Sequence, residues 1–388
     1  SVCMNTSIPG RDRAMGEILA TLCELKNQGR RLVGCFPLYP PLELLHSFGL
    51  TPVTLWGLSS EVTDLRKSDR HLQNYTCHVA RCLTEFVLGD AHALLDALFM
   101  YNACDTLRNL PEIIEEGLKE EGARLLPLFR LHVPAVAKER TGVRAYLKDR
   151  ITSMVYDLEE FTGRPFSPET FLASIDLYRS QRELCAEIED AACRGMVPFP
   201  TFVRILQLAH VLPVEAHLEL LDAEIPEEDD LPPHDLRHPG VMISGILPPP
   251  RQLLETMEAS GLRVVANDIA SLKRSLGYNP APTADPGEYY GDFYLNHYPC
   301  STLLASSDRR IETIRRAVHD SGAEGFIFFG EKFCEYEYFE FPHLEGMLRA
   351  QGTQTLFLEL TGQAGEGLDA PRNRLEAFAE MLKGHAGS

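Results

Sequence analysis

Three cysteines stand where thiol chemistry could be organised: Cys77 in Tyr75-Thr76-Cys77-His78, Cys104 in Ala103-Cys104-Asp105-Thr106, and Cys334 in Lys332-Phe333-Cys334. Cys104 and Cys334 each follow an apolar, strand-like run within a few residues, Leu94 to Asn102 and Gly325 to Gly330. Thiolates at strand ends suit zinc or iron–sulfur. The close C-x2-C pairs of structural zinc sites are absent, and the nearest pair, Cys77 and Cys82, is C-x4-C. Three thiolates drawn from distant segments fit a cubane cluster with one iron left open to water or a substrate oxygen. Spacing alone leaves the alternatives standing: buried structural cysteines, a catalytic thiol, or zinc.

Ten cysteines in 388 residues are too sparse for a disulfide scaffold. Cys3, Cys23, Cys185 and Cys193 read as small hydrophobes, Cys3 in a loosely tied end and the others in helical patterns. The net charge of −19 and pI near 5.1 disfavour nucleic acid and anionic membranes as partners. No apolar run is long enough to span a bilayer. The first thirty residues lack a signal-peptide pattern, so the cytoplasm is the expected compartment.

Elements that could position the cysteines follow from periodicity. Residues 1–30 read as a loose end and one helix. Residues 31–136 read as a first α/β domain with strands at 31–37, 51–57, 94–102 and 123–131, and helices at about 41–48, 78–87 and 106–121. Residues 137–239 form a helical segment with a helix start at Ser167-Pro168, ending in an acidic, Pro-rich linker over 224–239. Residues 240–388 read as a second α/β domain: strands at 240–247, 263–267, 325–330 and 353–360, an irregular stretch over 278–300, and helices at 250–260, 308–321, 341–350 and 371–384. The fold class is therefore α/β, two Rossmann-like domains with parallel four-stranded sheets joined by a helical middle. Open parallel sheets bind ligands at the carboxyl ends of their strands. Two such domains facing each other would place Cys104 and Cys334 in one cleft.

The segment Val33-Gly34-Cys35-Phe36-Pro37-Leu38-Tyr39-Pro40-Pro41-Leu42-Glu43-Leu44-Leu45-His46 resembles the opening motif of the 2-hydroxyacyl-CoA dehydratase and benzoyl-CoA reductase family. Gly49-Leu50-Thr51-Pro52-Val53 continues it, the three cysteine segments resemble the family's cluster-binding segments, and Arg374-Leu375-Glu376-Ala377-Phe378 resembles its C-terminal helix motif. The resemblance runs from about residue 31 to 382. It implies that Cys77, Cys104 and Cys334 bind a [4Fe-4S] cluster, that the substrate is an acyl-CoA thioester, and that the reaction passes through a ketyl-type radical anion. It also implies a related second catalytic subunit and a separate ATP-hydrolysing activator with its own iron–sulfur cluster. The wording around Cys77 and Cys104 is nearest the ATP-dependent benzoyl-CoA reductase branch, an anaerobic, aromatic-degrading one, with 2-hydroxyacyl-CoA dehydratase as the alternative. A double-cubane reductase adding Cys35, Cys82 and Cys300, or a non-catalytic electron relay, are further alternatives.

His78, next to a cluster-binding cysteine, and Tyr39, just past the first strand, are the candidate catalytic side chains; their plainer readings are a solvated helix-end histidine and a packed aromatic. Cys35 reads as a buried strand residue, Asp105 as the cap of the helix after Cys104, and Asp268 as a strand-end residue at the cleft. No G-x-x-x-x-G-K-[ST], G-x-G-x-x-G or G-x-S-x-G pattern is present, so ATP hydrolysis is expected of a partner, and dinucleotide or serine-hydrolase chemistry is not expected.

Overall fold

The structure, a computed structural model, describes residues 13–36, 38–56, 62, 64–226, 238–303, 305–360 and 367–385. Cys3 and most of the expected linker lie outside the described residues.

Helix α1 (Arg13–Asn27) leads into the first sheet, built from β1 (Arg31–Phe36), β2 (Leu50–Thr54), β3 (Ala97–Tyr101) and β4 (Leu128–Leu131) in the order β2-β1-β3-β4. All pairings are parallel. β3 is buried along its whole length, as a strand covered on both faces requires. Pro52 lies in edge strand β2, where a missing N–H disturbs the ladder least. The intervening helices are α2 (Leu42–Ser47), α3 (His78–Leu88) and α4 (Asp105–Glu120). β4 begins later than the expected 123, directly after Pro127, whose carbonyl accepts from Leu98 N at 2.8 Å.

The middle is helical: α5 (Val143–Thr162), α6 (Pro168–Cys193), α7 (Phe199–Leu208) and α8 (Val214–Glu224). α6 starts at the expected Ser167-Pro168 step, with Ser167 as its N-cap and Ser167 Oγ accepting from Thr170 N.

The second sheet joins β5 (Gly240–Gly245), β6 (Arg263–Ile269), β7 (Gly325–Glu331) and β8 (Gln354–Leu360) in the order β6-β5-β7-β8, again all parallel. Its helices are α9 (Arg251–Ala259), α10 (Pro286–Asn296), α11 (Ser307–Ser321), α12 (Glu335–Ala350) and α13 (Asp369–His385). The expected two-sheet α/β architecture is the observed one. At Gly245 an added Cβ would lie 2.5 Å from Phe329 O, so only glycine lets β5 and β7 close there.

Two expectations fail. The stretch over 278–300 is not irregular, because it holds α10. Tyr289, Tyr290, Phe293 and Tyr294 are all buried in this helix, and its polar face narrows to a stripe of Glu288, Asp292 and Asn296, so its amphipathic period is weak. And α12 starts at Glu335, not near 341, because its first turns bury carboxylates rather than apolar side chains.

α10 ties the halves together. Tyr289 and Tyr290 donate to the Glu43 carboxylate of α2 at 3.0 and 2.6 Å, and Arg182 of α6 pairs with it at 2.5 Å. These aromatics belong to the same apolar core as the first sheet, and Cys77, Cys104 and Cys334 all pack against that core. Among the described residues, no helix is long and apolar enough to cross a membrane.

Candidate metal centre

Each of the three cysteines occupies the N-cap of a helix: Cys77 of α3, Cys104 of α4, Cys334 of α12. Cys104 and Cys334 both stand three residues beyond the last strand residue, Tyr101 of β3 and Glu331 of β7. This is the carboxyl end of each sheet, where the alternating β-α order aims the helix amino termini into the crevice. Cys104 Sγ accepts from Leu107 N at 3.5 Å. The amides of Val79 and Ala80 act on Cys77, and that of Glu337 on Cys334, each favouring the thiolate. Asp105, the expected cap, is displaced from that role by Cys104; its side chain is exposed and reaches Arg108 at 3.4 Å.

The thiols converge. Cys104 acts on Cys77, and Cys77 and Cys104 both act on Cys334, raising the pKa of the thiol they act on. Burial is the largest cause in every case and pushes Cys77 up to about 12 and Cys334 well above the ordinary thiol range. Such thiols stay protonated at neutral pH and make poor nucleophiles, which argues against a catalytic thiol. A metal reverses that balance, because a coordinated thiol is deprotonated outright. Among the described residues no three His, Cys, Asp or Glu side chains sit close enough to share one metal ion. A convergent trio of sulfurs, each met by helix-end amides, suits a larger anionic group that spaces its ligands, and N–H donors to sulfur are the means by which proteins tune such groups. The residues present therefore fit an iron–sulfur cluster.

The other expected residues fall outside this trio. His78 opens α3, and its Nε2 lies 2.9 Å from Cys82 Sγ, whose thiol burial pushes up to about 12. The backbone N–H of His78 meets the Glu331 carboxyl. Tyr39 is buried, with φ of +38° and its ring 4.1 Å from that of His297. Its hydroxyl approaches the Cys300 thiol without full hydrogen-bond geometry, and Arg274 and Tyr101 also act on it. Tyr101 in turn is influenced by Cys300 and Cys104. Cys35 is a fully buried strand residue, and Cys300 is buried beside Arg274.

Several residues around the trio are not visible to sequence reasoning. Glu331 is buried, its Oε1 unpartnered, and burial lifts its pKa to about 8, with Glu359 adding and the His78 amide opposing. Arg274, Arg310, Asp268 and Glu337 form a fully buried charge network, so Asp268 lies inside this network rather than open to the cleft. The one available signal is Glu331 closing an otherwise apolar strand.

The chain is similar over nearly its whole length to subunits of known enzymes. The (R)-phenyllactyl-CoA dehydratase beta subunit of Clostridium sporogenes is 24% identical over 360 residues, covering 92% of this chain and 93% of that protein. The (R)-2-hydroxyglutaryl-CoA dehydratase beta subunit of Acidaminococcus fermentans is 26% identical over 372 residues, with 93% and 95% covered. One of the benzoyl-CoA reductase subunits of Thauera aromatica is 23% identical over 361 residues, with 91% of each covered. A family model described as 2-hydroxyglutaryl-CoA dehydratase, D-component, matches residues 37–382, a span that takes in all three cysteines. The chain therefore belongs to the 2-hydroxyglutaryl-CoA dehydratase D-component family.

Proposed function

We propose that the chain is the [4Fe-4S]-bearing subunit of a low-potential radical enzyme acting on acyl-CoA thioesters, with Cys77, Cys104 and Cys334 as the ligands. The observation that carries this reading is the convergence of three helix-capping thiols from both α/β units. When bound, the cluster supplies single electrons for reduction of a thioester carbonyl. The protein's share is to hold the three sulfurs against helix-end amides, to keep water away with the shared apolar core, and to leave the fourth iron without a protein thiolate. His78 and Tyr39 remain the proposed catalytic side chains. His78 is the nearer in sequence to the ligands; Tyr39 acts from the interdomain seam through Tyr101.

By their names, relatives of this chain are parts of multi-subunit enzymes, so a second, related subunit is the proposed partner, with a separate ATP-hydrolysing activator as electron source. Both branches begin with the same one-electron step. The benzoyl-CoA reductase reading follows the wording around Cys77 and Cys104; the dehydratase reading is favoured by the relatives acting on phenyllactyl- and 2-hydroxyglutaryl-CoA.

Anaerobic purification should give a brown chain with about four irons. Single Cys→Ala changes at the three ligands should bleach it, while Cys35→Ala should not. A colourless, iron-free preparation, or full iron retention in all three variants, would sink the reading. Turnover of benzoyl-CoA against 2-hydroxyacyl-CoAs with activator and partner present separates the branches.

A further inference from the structure

Helix α12 carries Cys334 on its N-cap, yet its first turns are held by charge. Glu337 is fully buried and pairs with Arg274 at 2.6 Å and Arg310 at 3.4 Å. Asp268, at the end of β6, joins the same two guanidinium groups at 3.2 and 2.8 Å, Ser244 of β5 donates to it at 2.9 Å, and Glu340 pairs with Arg310. The set holds two guanidinium groups and three carboxylates. Buried ion pairs are weak stabilisers, and apolar side chains of similar volume often hold a helix as well or better. Docking α12 does not by itself account for five buried charged groups.

Their location supplies another role. Glu337 is the charged group that acts most strongly on the Cys334 thiol. Arg274 closes a π-helical turn over Ala270–Arg274, and such turns gather at functional positions. From there Nη1 reaches Cys300 Sγ at 3.4 Å, Nε the carbonyl of Asp268 at 2.8 Å, and Nη2 the carbonyl of Gly245 at 3.1 Å. Arg274 thus reaches the helix that Cys334 caps through Glu337, in its first turn, and touches the Cys300 thiol directly.

We propose that the buried Arg274–Glu337 pair sets the reduction potential of the cluster held by Cys77, Cys104 and Cys334. The proposal rests on the cluster reading above. Both are positioning residues: neither touches the reacting atoms. Reduction adds a negative charge to the cluster, so a buried guanidinium nearby favours the reduced form and a buried carboxylate opposes it. Because the pair is out of solvent, added salt screens it little.

The test is a redox titration of the anaerobically purified chain, followed by visible absorbance and EPR, on wild type, Arg274→Gln, Glu337→Gln and the double variant. Arg274→Gln should shift the midpoint to more negative potential and Glu337→Gln to more positive potential. The double variant should return toward the wild-type value, and Arg274→Lys, which keeps the charge, should shift least. A merely structural pair would give same-direction shifts or none in chains loaded with equal iron, and that result overturns the proposal. If Arg274→Gln fails to load, Glu337→Gln decides alone: an unshifted or negative midpoint overturns it. A wild-type chain without iron would remove the cluster reading and this proposal with it, whereas a loaded wild type with unshifted variants removes only this one.

Discussion

Helix α4 presents Cys104 on its N-cap and turns Leu107, Leu110, Ile114 and Leu118 into the core beside β3. Helix α12 presents Cys334 in the same place and turns Glu337 and Glu340 inward ahead of Phe341, Leu344 and Leu348. Both follow the last strand residue by the same three-residue turn, and each carries a proline in its second turn or just past it, Pro111 and Pro342. Helix α4 is thus fixed by non-directional burial, which tolerates reshaping. Helix α12 is fixed by directional charge pairs, which hold one geometry and leave unpaired buried charge when one partner goes. The two halves share topology while differing in how their cysteine is held.

The comparison breaks most visibly at Arg310, which serves Asp268, Glu337 and Glu340 together. Arg310→Met should destabilise the protein by about 3–5 kcal/mol, because it strands buried carboxylates. On the other side Leu110→Ala should cost about 2–4 kcal/mol through a cavity in the core. Urea unfolding monitored by circular dichroism reads both. The distinguishing outcome is suppression: adding Glu337→Gln should recover part of the Arg310→Met loss and none of the Leu110→Ala loss. Equal recovery in both would mean that α12 is not held by charge.

A second difference lies three residues before each cysteine. β3 ends in Tyr101 and β7 in Glu331, both buried with an unpartnered oxygen, but only Glu331 titrates in the neutral range. Its folded pKa of about 8 lies above the ordinary carboxyl value of 4.5. The sign follows: the protonated carboxyl is the form the fold accepts, so its contribution is intact below pH 4.5 and is lost as pH rises toward 8. Before cluster loading, wild-type stability should fall relative to Glu331→Gln across that window, at a slope of at most roughly 1.4 kcal/mol per pH unit. Parallel pH curves for the two proteins would show that Glu331 is not buried neutral.

The same contrast explains what can be read in advance. β1, β3, β5 and β7 are continuous apolar runs, and α4 has a clear apolar stripe, so the first unit and the positions of Cys104 and Cys334 at strand ends are legible. Glu335, Glu337 and Glu340 read as a solvated face, which puts the expected start of α12 at 341; the burial of Glu337 and Glu340 depends on Arg274 and Arg310, distant in sequence and adjacent only in three dimensions. α10 is hidden for the opposite reason, its polar face being only the narrow stripe of Glu288, Asp292 and Asn296, although Asp285-Pro286 carries the signature of a helix start. The ligand role proposed for the three cysteines comes from family resemblance; bringing them near one another needs the fold.

The smallest effect tests the cap. Local rules assign the N-cap of α4 to Asp105, since an aspartate oxygen accepts amide bonds better than sulfur does. In the structure Asp105 sits one residue inside the helix with its side chain 81% exposed, and the sulfur of Cys104 takes the amide of Leu107. Loss of a true cap costs about 1 kcal/mol. Loss of an exposed first-turn carboxylate, with only its dipole and Arg108 interactions, costs less than about 0.5 kcal/mol. Asp105→Ala should therefore stay within that smaller figure by urea unfolding and keep its iron. A loss near the larger figure would return the cap to Asp105 and free the Cys104 sulfur from the helix end, removing one of the amide contacts on which the likeness between α4 and α12 rests.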